Sequence, residues 1–289
     1  MSKDILSVIQ TNMSTFSKGQ KLIAGFILES YDKAAFMTAS RLGKTVNVSE
    51  STVVRFAAEL GYDGYPAMQK ALQEMIRNKL TSIQRIEVSN DRIGNQDILS
   101  MVMQSDVEKI RMTLEDMDRD SFDRAVDSIV SARRIYILGV RSASAIASFL
   151  AFYFNLIFED VVHIHSTSVS EVFEQLLRIG PRDVIIGISF PRYSRRTVKA
   201  MEFARDRGAQ VVAITDSETS PLAATATHTL MAKSDMASFV DSLVAPLSLV
   251  NALIVALGRR KNNDLSETFG ILEKIWDEYE VYEKVEDTQ

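Results

Sequence analysis

Apolar residues in the first 80 positions recur at intervals of three and four, which predicts helix throughout. Leu22, Ile23, Phe26 and Ile27 mark one such face. A segment opened by Pro66 carries Met68, Leu72, Met75 and Ile76 on another. The rhythm lapses over residues 81–97, where Thr81-Ser82, Ser89-Asn90-Asp91 and Gly94 replace it, and we read this stretch as a linker. A long amphipathic stretch then runs from Ile98 through Val102, Val107, Ile110 and Leu114 to Phe122, Ala125, Val126 and Ile129. From residue 134 short apolar runs alternate with helical segments. Residues 134–139, 160–164, 183–189, 211–215 and 229–231 predict strands, and 143–156, 170–178, 197–207 and 239–257 predict helices. Such alternation argues for a parallel, doubly wound sheet. The chain thus reads as an all-α domain over 1–80, a linker over 81–97 and an α/β domain over 98–289.

Composition narrows the picture. A chain of 289 residues with 46% hydrophobic content suits two domains with real cores. It has no cysteine, which excludes disulfides, thiolate metal sites and thiol nucleophiles. No early apolar run resembles a signal peptide, and Asp241, Ser242, Pro246, Ser248 and Asn251 interrupt the greasiest later stretch. A soluble, cytoplasmic protein without a membrane partner is expected. The net charge of −5 is unevenly spread. Residues 1–80 hold 10 Lys and Arg against 7 acids, a net of +3, and the rest hold 23 against 31, a net of −8. A basic head on an acidic body fits a DNA reader joined to a separate sensor.

The chemistry is densest between Met37 and Leu60. Thr38 suits the cap of a helix that ends near Val46, and Asn47 tolerates the left-handed backbone of a sharp turn. Ser49 suits the cap of a second helix, Glu50 its first turn and Gly61 its end. Leu42, Val48, Val53, Ala57 and Leu60 would pack the two helices together, with Gly43 allowing close approach. Ser51, Thr52 and Arg55 then remain on one outer face, where a recognition helix meets bases in the major groove. Arginine reads guanine with two hydrogen bonds, and short hydroxyls reach phosphates or bases. With Lys44 and Lys70 as phosphate contacts, the DNA-binding set is Lys44, Ser49, Ser51, Thr52, Arg55 and Lys70. Gly43-Lys44-Thr45 imitates the end of a phosphate-binding loop, but that motif needs glycine at Thr38 and a preceding strand.

The run from Val48 to Phe56, then Leu60-Gly61-Tyr62-Asp63-Gly64-Tyr65 and Lys70, resembles the N-terminal domain of the RpiR/MurR family of transcriptional regulators. Asn47 stands where that family usually has glycine. The second half is similar to a sugar isomerase (SIS) domain, the usual partner of that head, and the resemblance implies a flavodoxin-like sheet. In such a sheet ligands bind beyond the carboxyl ends of the strands. Two loops leave strand ends there and open helices: Gly139-Val140-Arg141-Ser142-Ala143-Ser144 and Ser189-Phe190-Pro191-Arg192-Tyr193-Ser194. Their hydroxyls and arginines suit an anion, and we take Arg141, Ser142, Ser144, Ser189, Arg192 and Ser194 as the ligand-binding set. SIS domains typically read Ser-x-Ser-Gly-x-Ser/Thr in the second loop. Ser189 and Ser194 match, Pro191 and Arg192 replace the second serine and the glycine, and Arg141 stands where the first loop usually has glycine. The resemblance also extends to Ser220-Pro221-Leu222-Ala223, read as a helix start.

His163 and His165 share a strand face but lack the carboxylates or thiolates of a zinc site, and His228 has no visible partner in sequence. No metal or cofactor is expected. Leu265, Phe269, Leu272, Trp276 and Tyr279 form a narrow apolar stripe on an acidic C-terminal helix, which packs on its own domain or on a second subunit. The function that follows is a non-enzymatic regulator of carbohydrate metabolism. It would bind a double-stranded DNA operator as a homodimer or dimer of dimers, under control of a sugar phosphate or phosphorylated sugar acid. The alternative is a sugar-phosphate isomerase of the SIS fold, with Glu171 or Glu174 as general base.

Overall fold

The computed structural model describes residues 5–77, 81, 83–87, 97–166, 168–234 and 240–283. The chain forms two compact units: Met1–Ser105 with Asp235–Ser242, and Asp106–Ser234 with Leu243–Gln289. Most of the 81–97 linker, and Phe239 at the start of an expected helix, lie outside the described residues.

The first unit holds α1 (Ile5–Asn12), α2 (Lys18–Glu29), α3 (Tyr31–Ala34), α4 (Ala39–Thr45), α5 (Glu50–Glu59) and α6 (Gly64–Arg77). Their inward faces meet in one core that includes Ile9, Phe16, Ile23, Ile27, Leu42, Phe56, Met68 and Leu72. The Phe16 and Phe56 rings meet edge to face at 5.1 Å. Helix α6 starts two residues before Pro66, which occupies a first-turn position where its missing N–H forfeits no helical bond. The Tyr65 hydroxyl and the Gln69 amide both donate to the Met37 carbonyl at 2.8 Å, fastening α6 to the entry of α4.

Helix α7 (Ile98–Glu115) leads to α8 (Arg119–Val130). The amphipathic stretch expected to be continuous breaks here, because the Asp118 carboxylate accepts from the amides of Asp120 and Ser121 and starts a new helix. Then follow β1 (Arg134–Gly139), α9 (Ala143–Ile157), β2 (Val161–Ile164), α10 (Val169–Gln175), β3 (Asp183–Ile188), α11 (Arg195–Asp206), β4 (Gln210–Thr215), β5 (His228–Met231), α12 (Val244–Arg260) and α13 (Asn262–Glu278). Ser220-Pro221-Leu222-Ala223 opens only a single 3-10 turn, Ala223–Thr225.

All four strand pairs are parallel, in the order β2-β1-β3-β4-β5. Alternate residues feed opposite faces. Ile135, Ile137, Ile186 and Val212 join one core with α8, α9 and α12. Leu138, Ile185, Val211 and Ala213 join the other with α10 and α11. Both faces are covered, which explains the uninterrupted apolar runs. Helix α12 begins at Val244, with Pro246 in its first turn. On α13 no residue is fully buried, and Tyr279, just past its end, is 71% exposed. Among the described residues no helix is long and apolar enough to cross a membrane.

Candidate DNA-binding and ligand sites

The turn between α4 and α5 is built by capping and one left-handed residue. Thr38 Oγ1 accepts from the Arg41 amide at 3.2 Å and starts α4. Asn47 takes φ 57°, which reverses the chain. The Val48 amide then donates to the Gly43 carbonyl at 2.8 Å, and Ser49 Oγ accepts from the Thr52 amide at 3.2 Å. A β-carbon on Gly43 would stand 2.8 Å from the Val48 carbonyl oxygen, so only glycine lets the turn close so tightly.

Val53, Phe56 and Ala57 hold α5 in the core, leaving Ser51, Val54, Arg55 and Ala58 exposed on its outer side. Lys44 in the last turn of α4 and Lys70 on α6 are exposed too. Thr52 departs from the expected exposed triplet. It is half-buried, with its methyl toward Gly19 of α2 and its hydroxyl 2.8 Å from Ser49 Oγ. Ser49 Oγ also lies 2.9 Å from Ser51 Oγ, so the three hydroxyls form one cluster at the start of α5. Arg55 Nε donates to the Ser51 carbonyl at 3.2 Å, which lays the guanidinium back toward that cluster.

In the second unit the two hydroxyl-rich loops leave neighbouring strands, since Gly139 at the end of β1 pairs with Ile188 at the end of β3. Strand order reverses between β1 and β3, and in open sheets of this kind the crevice lies at that reversal. Arg141 and Arg192 are both exposed and both left-handed, with φ 59° and 64°. At both positions glycine would be the unstrained choice. A β-carbon on Gly139 would stand 2.5 Å from the Ala143 carbonyl, so the first loop is as tight as a chain can make it.

The serines divide by role. Ser144 Oγ donates to the Arg141 carbonyl at 2.6 Å, Ser189 Oγ accepts from the Ser194 amide at 3.0 Å and Ser194 Oγ accepts from the Thr197 amide at 3.3 Å. These three shape their loops. Ser142 is exposed and makes no capping bond. Two further side chains escaped the sequence reading: the Tyr193 hydroxyl donates to Asp216, 8% exposed beyond β4, at 2.7 Å. An aspartate directly after the apolar run of a parallel strand was the available signal.

The remaining candidates fall elsewhere. Burial first and then the neighbouring His165 push the His163 imidazole down, and the two rings lie 5.3 Å apart. His228 does have a partner, Ser128 Oγ, 3.0 Å from its Nε2. Among the described residues no group of three or more His, Asp or Glu is placed to hold a metal ion. Glu171 and Glu174 are exposed on α10, which follows β2, and the Glu171 carboxylate accepts from Ser166, whose carbonyl accepts from Arg196 Nη1 at 3.0 Å.

Comparison with known proteins agrees with both halves. Residues 3–79 match the helix-turn-helix domain of the rpiR family, and residues 128–256 match the SIS domain. The chain is 25% identical over 267 residues to the HTH-type transcriptional regulator HexR of Escherichia coli, covering 89% of each chain. The sugar isomerase domain of the RpiR transcription factor from Sphaerobacter thermophilus superposes with a TM-score of 0.60 at 27% identity, over 62% of this chain and 99% of that one. The Vibrio vulnificus NanR protein complexed with ManNAc-6P gives a TM-score of 0.58 at 25% identity, over 94% and 98%. With a matching helix-turn-helix head, a matching five-stranded SIS sheet and relatives that span both, this chain belongs to the RpiR family of helix-turn-helix transcriptional regulators.

Proposed function

We propose that this chain regulates genes of carbohydrate metabolism in the cytoplasm. Ser49, Ser51, Thr52 and Arg55 of α5 meet operator DNA, with Lys44 and Lys70 on its phosphates. A phosphorylated sugar or sugar acid held by Arg141, Ser142, Ser144, Ser189, Arg192 and Ser194 sets the affinity. The observation that carries this reading is the pair of arginines in left-handed backbone at the ends of adjacent strands, in a chain whose other unit is a helix-turn-helix. Strain of this kind persists where function requires the side chain. Two guanidiniums at one crevice favour an anion between them, and more negative charge than a plain hexose phosphate carries. NanR complexed with ManNAc-6P supports a sugar phosphate as the ligand class.

One helix-turn-helix reads few base pairs, so a homodimer or dimer of dimers on a near-palindromic operator belongs to the same reading. The isomerase alternative needs a base at the crevice. The helix-turn-helix unit, for which an isomerase has no use, supports a sensor without a catalytic step. The test is a mobility-shift titration of promoter DNA with a panel of phosphorylated sugars and sugar acids. One of them should change operator affinity by about 5- to 150-fold. A panel in which none does would remove the sensing half of the proposal.

A further inference from the structure

Helix α13 is apolar on two sides, and its own domain serves only one of them. Leu265, Phe269, Leu272 and Trp276 recur at 4-3-4 spacing and are half-buried. Leu265 seats against α12, where a β-carbon on Gly258 would stand 3.2 Å from its Cδ2. The Phe269 and Trp276 rings meet at 6.2 Å, and Tyr282 closes on Trp276 at 5.3 Å. Ile271 and Ile275 lie about 100° round the helix from that stripe and are exposed. Helices α9, α12 and α13 border a groove of about 300 Å³ whose walls include Leu156, Ile254, Val255 and Arg259.

Area and charge together say what covers this face. Phe152, Val255, Ile271, Ile275, Tyr279 and Tyr282 are 43–71% exposed. They leave on the order of 700 Å² bare, more than the roughly 300–600 Å² of the largest patch on a typical monomer and close to the ~800 Å² that each partner gives to a standard interface. The Arg259 guanidinium is exposed and bonds to no described residue. Glu267 and Glu278 stand on the ridge of Ile271 and Ile275, four residues before the first and three after the second, and their carboxylates also bond to no described residue. The groove lacks an anion and the stripe carries two, so the stripe of one copy suits the groove of another. Groove and stripe belong to one domain, which makes the fit reciprocal, as in a two-fold dimer. Resting on the homodimer reading above, we propose that this face joins two copies of the chain. Ile271 and Ile275 of each copy sit in the groove of the other, and Arg259 pairs with Glu267 or Glu278 across the two-fold axis.

Sedimentation velocity on the full chain tests the face without DNA or ligand. Arg259→Glu in one variant, and Glu267→Lys with Glu278→Lys in a second, each set like charges opposite one another and should weaken self-association by about tenfold or more. Mixed in equal amounts, the two variants should associate at close to wild-type strength, because each offers the charge the other needs. Rescue by mixing also shows that both are folded. Ile271→Asp with Ile275→Asp should lower the assembly by one step, to half the wild-type mass, with an unchanged far-UV spectrum. If that variant keeps the wild-type mass, or the mixture associates no better than its parts, another occupant covers the face and the proposal fails while the homodimer reading stands. A wild-type chain that stays monomeric as concentration is raised overturns the proposal and the homodimer reading together.

Discussion

Arg141 offers a direct way to separate what a side chain does from what its backbone costs. The residue is left-handed at φ 59°, and its carbonyl is held by both the amide and the hydroxyl of Ser144, at 3.0 and 2.6 Å. Those bonds do not involve the guanidinium, so Arg141→Ala and Arg141→Gly should keep the same loop. A left-handed non-glycine residue costs about 1–2 kcal/mol. Alanine retains that cost. Glycine removes it but regains roughly 0.5–1 kcal/mol of freedom in the unfolded chain. The glycine variant should therefore be the more stable of the two by about 0.5–1 kcal/mol, a rise of roughly 1–4 °C in Tm for a unit of this size. Both variants should lose most of the affinity for the effector sugar phosphate. Scanning calorimetry reads the first quantity and titration calorimetry the second. A glycine variant that melts at or below the alanine variant refutes stored strain. Wild-type ligand affinity in either one refutes the anion-binding role of Arg141.

Arg55→Ala should cost about 1–3 kcal/mol of specific operator affinity and relax sequence preference, whereas Lys44→Ala should lower the salt slope by about one and weaken all sequences alike. Unchanged discrimination by Arg55→Ala in a mobility-shift assay would contradict the recognition face. Gly43→Ala sets a β-carbon 2.8 Å from a backbone oxygen. Overpacking of about 1–3 kcal/mol then outweighs the ~1 kcal/mol helix preference of alanine, and urea unfolding should register a net loss. Burial pushes the Tyr65 phenol from 10.0 up to about 12. The stability this group contributes is complete below its unfolded value and is lost as pH rises through the folded one, so Tyr65→Phe should lower stability at neutral pH by an amount that shrinks in strong alkali. Light scattering should find a dimer or larger assembly, and a monomer that binds operator tightly would refute symmetric recognition.

Much of this fold is written in local chemistry. Strand β1 begins at Arg134 and ends at Gly139 as its apolar run suggests, and the turn at Asn47 follows from one residue type that tolerates left-handed backbone. Positions that depend on partners distant in sequence were not legible. The break between α7 and α8 is invisible to apolar periodicity, which runs straight through it, and only the carboxylate of Asp118 marks the new start. Thr52 looks exposed on a helical wheel until α2 brings Gly19 against it. His228 finds Ser128 across 100 positions, and Tyr193 finds Asp216 across 23. Nothing local to Arg85 or Asp241 reports that its partner lies 156 residues away.

That separation also orders events during synthesis. At roughly 5–20 residues per second, about 8–30 s pass between the appearance of Arg85 and that of Asp241. The whole of α5 is already made by then, since it ends at Glu59. A nascent chain in this interval carries the complete helix-turn-helix but not yet the Asp241 carboxylate that pairs with Arg85. The first unit therefore gains this ion pair only after all five strands of the sheet have been made, since β5 ends at Met231.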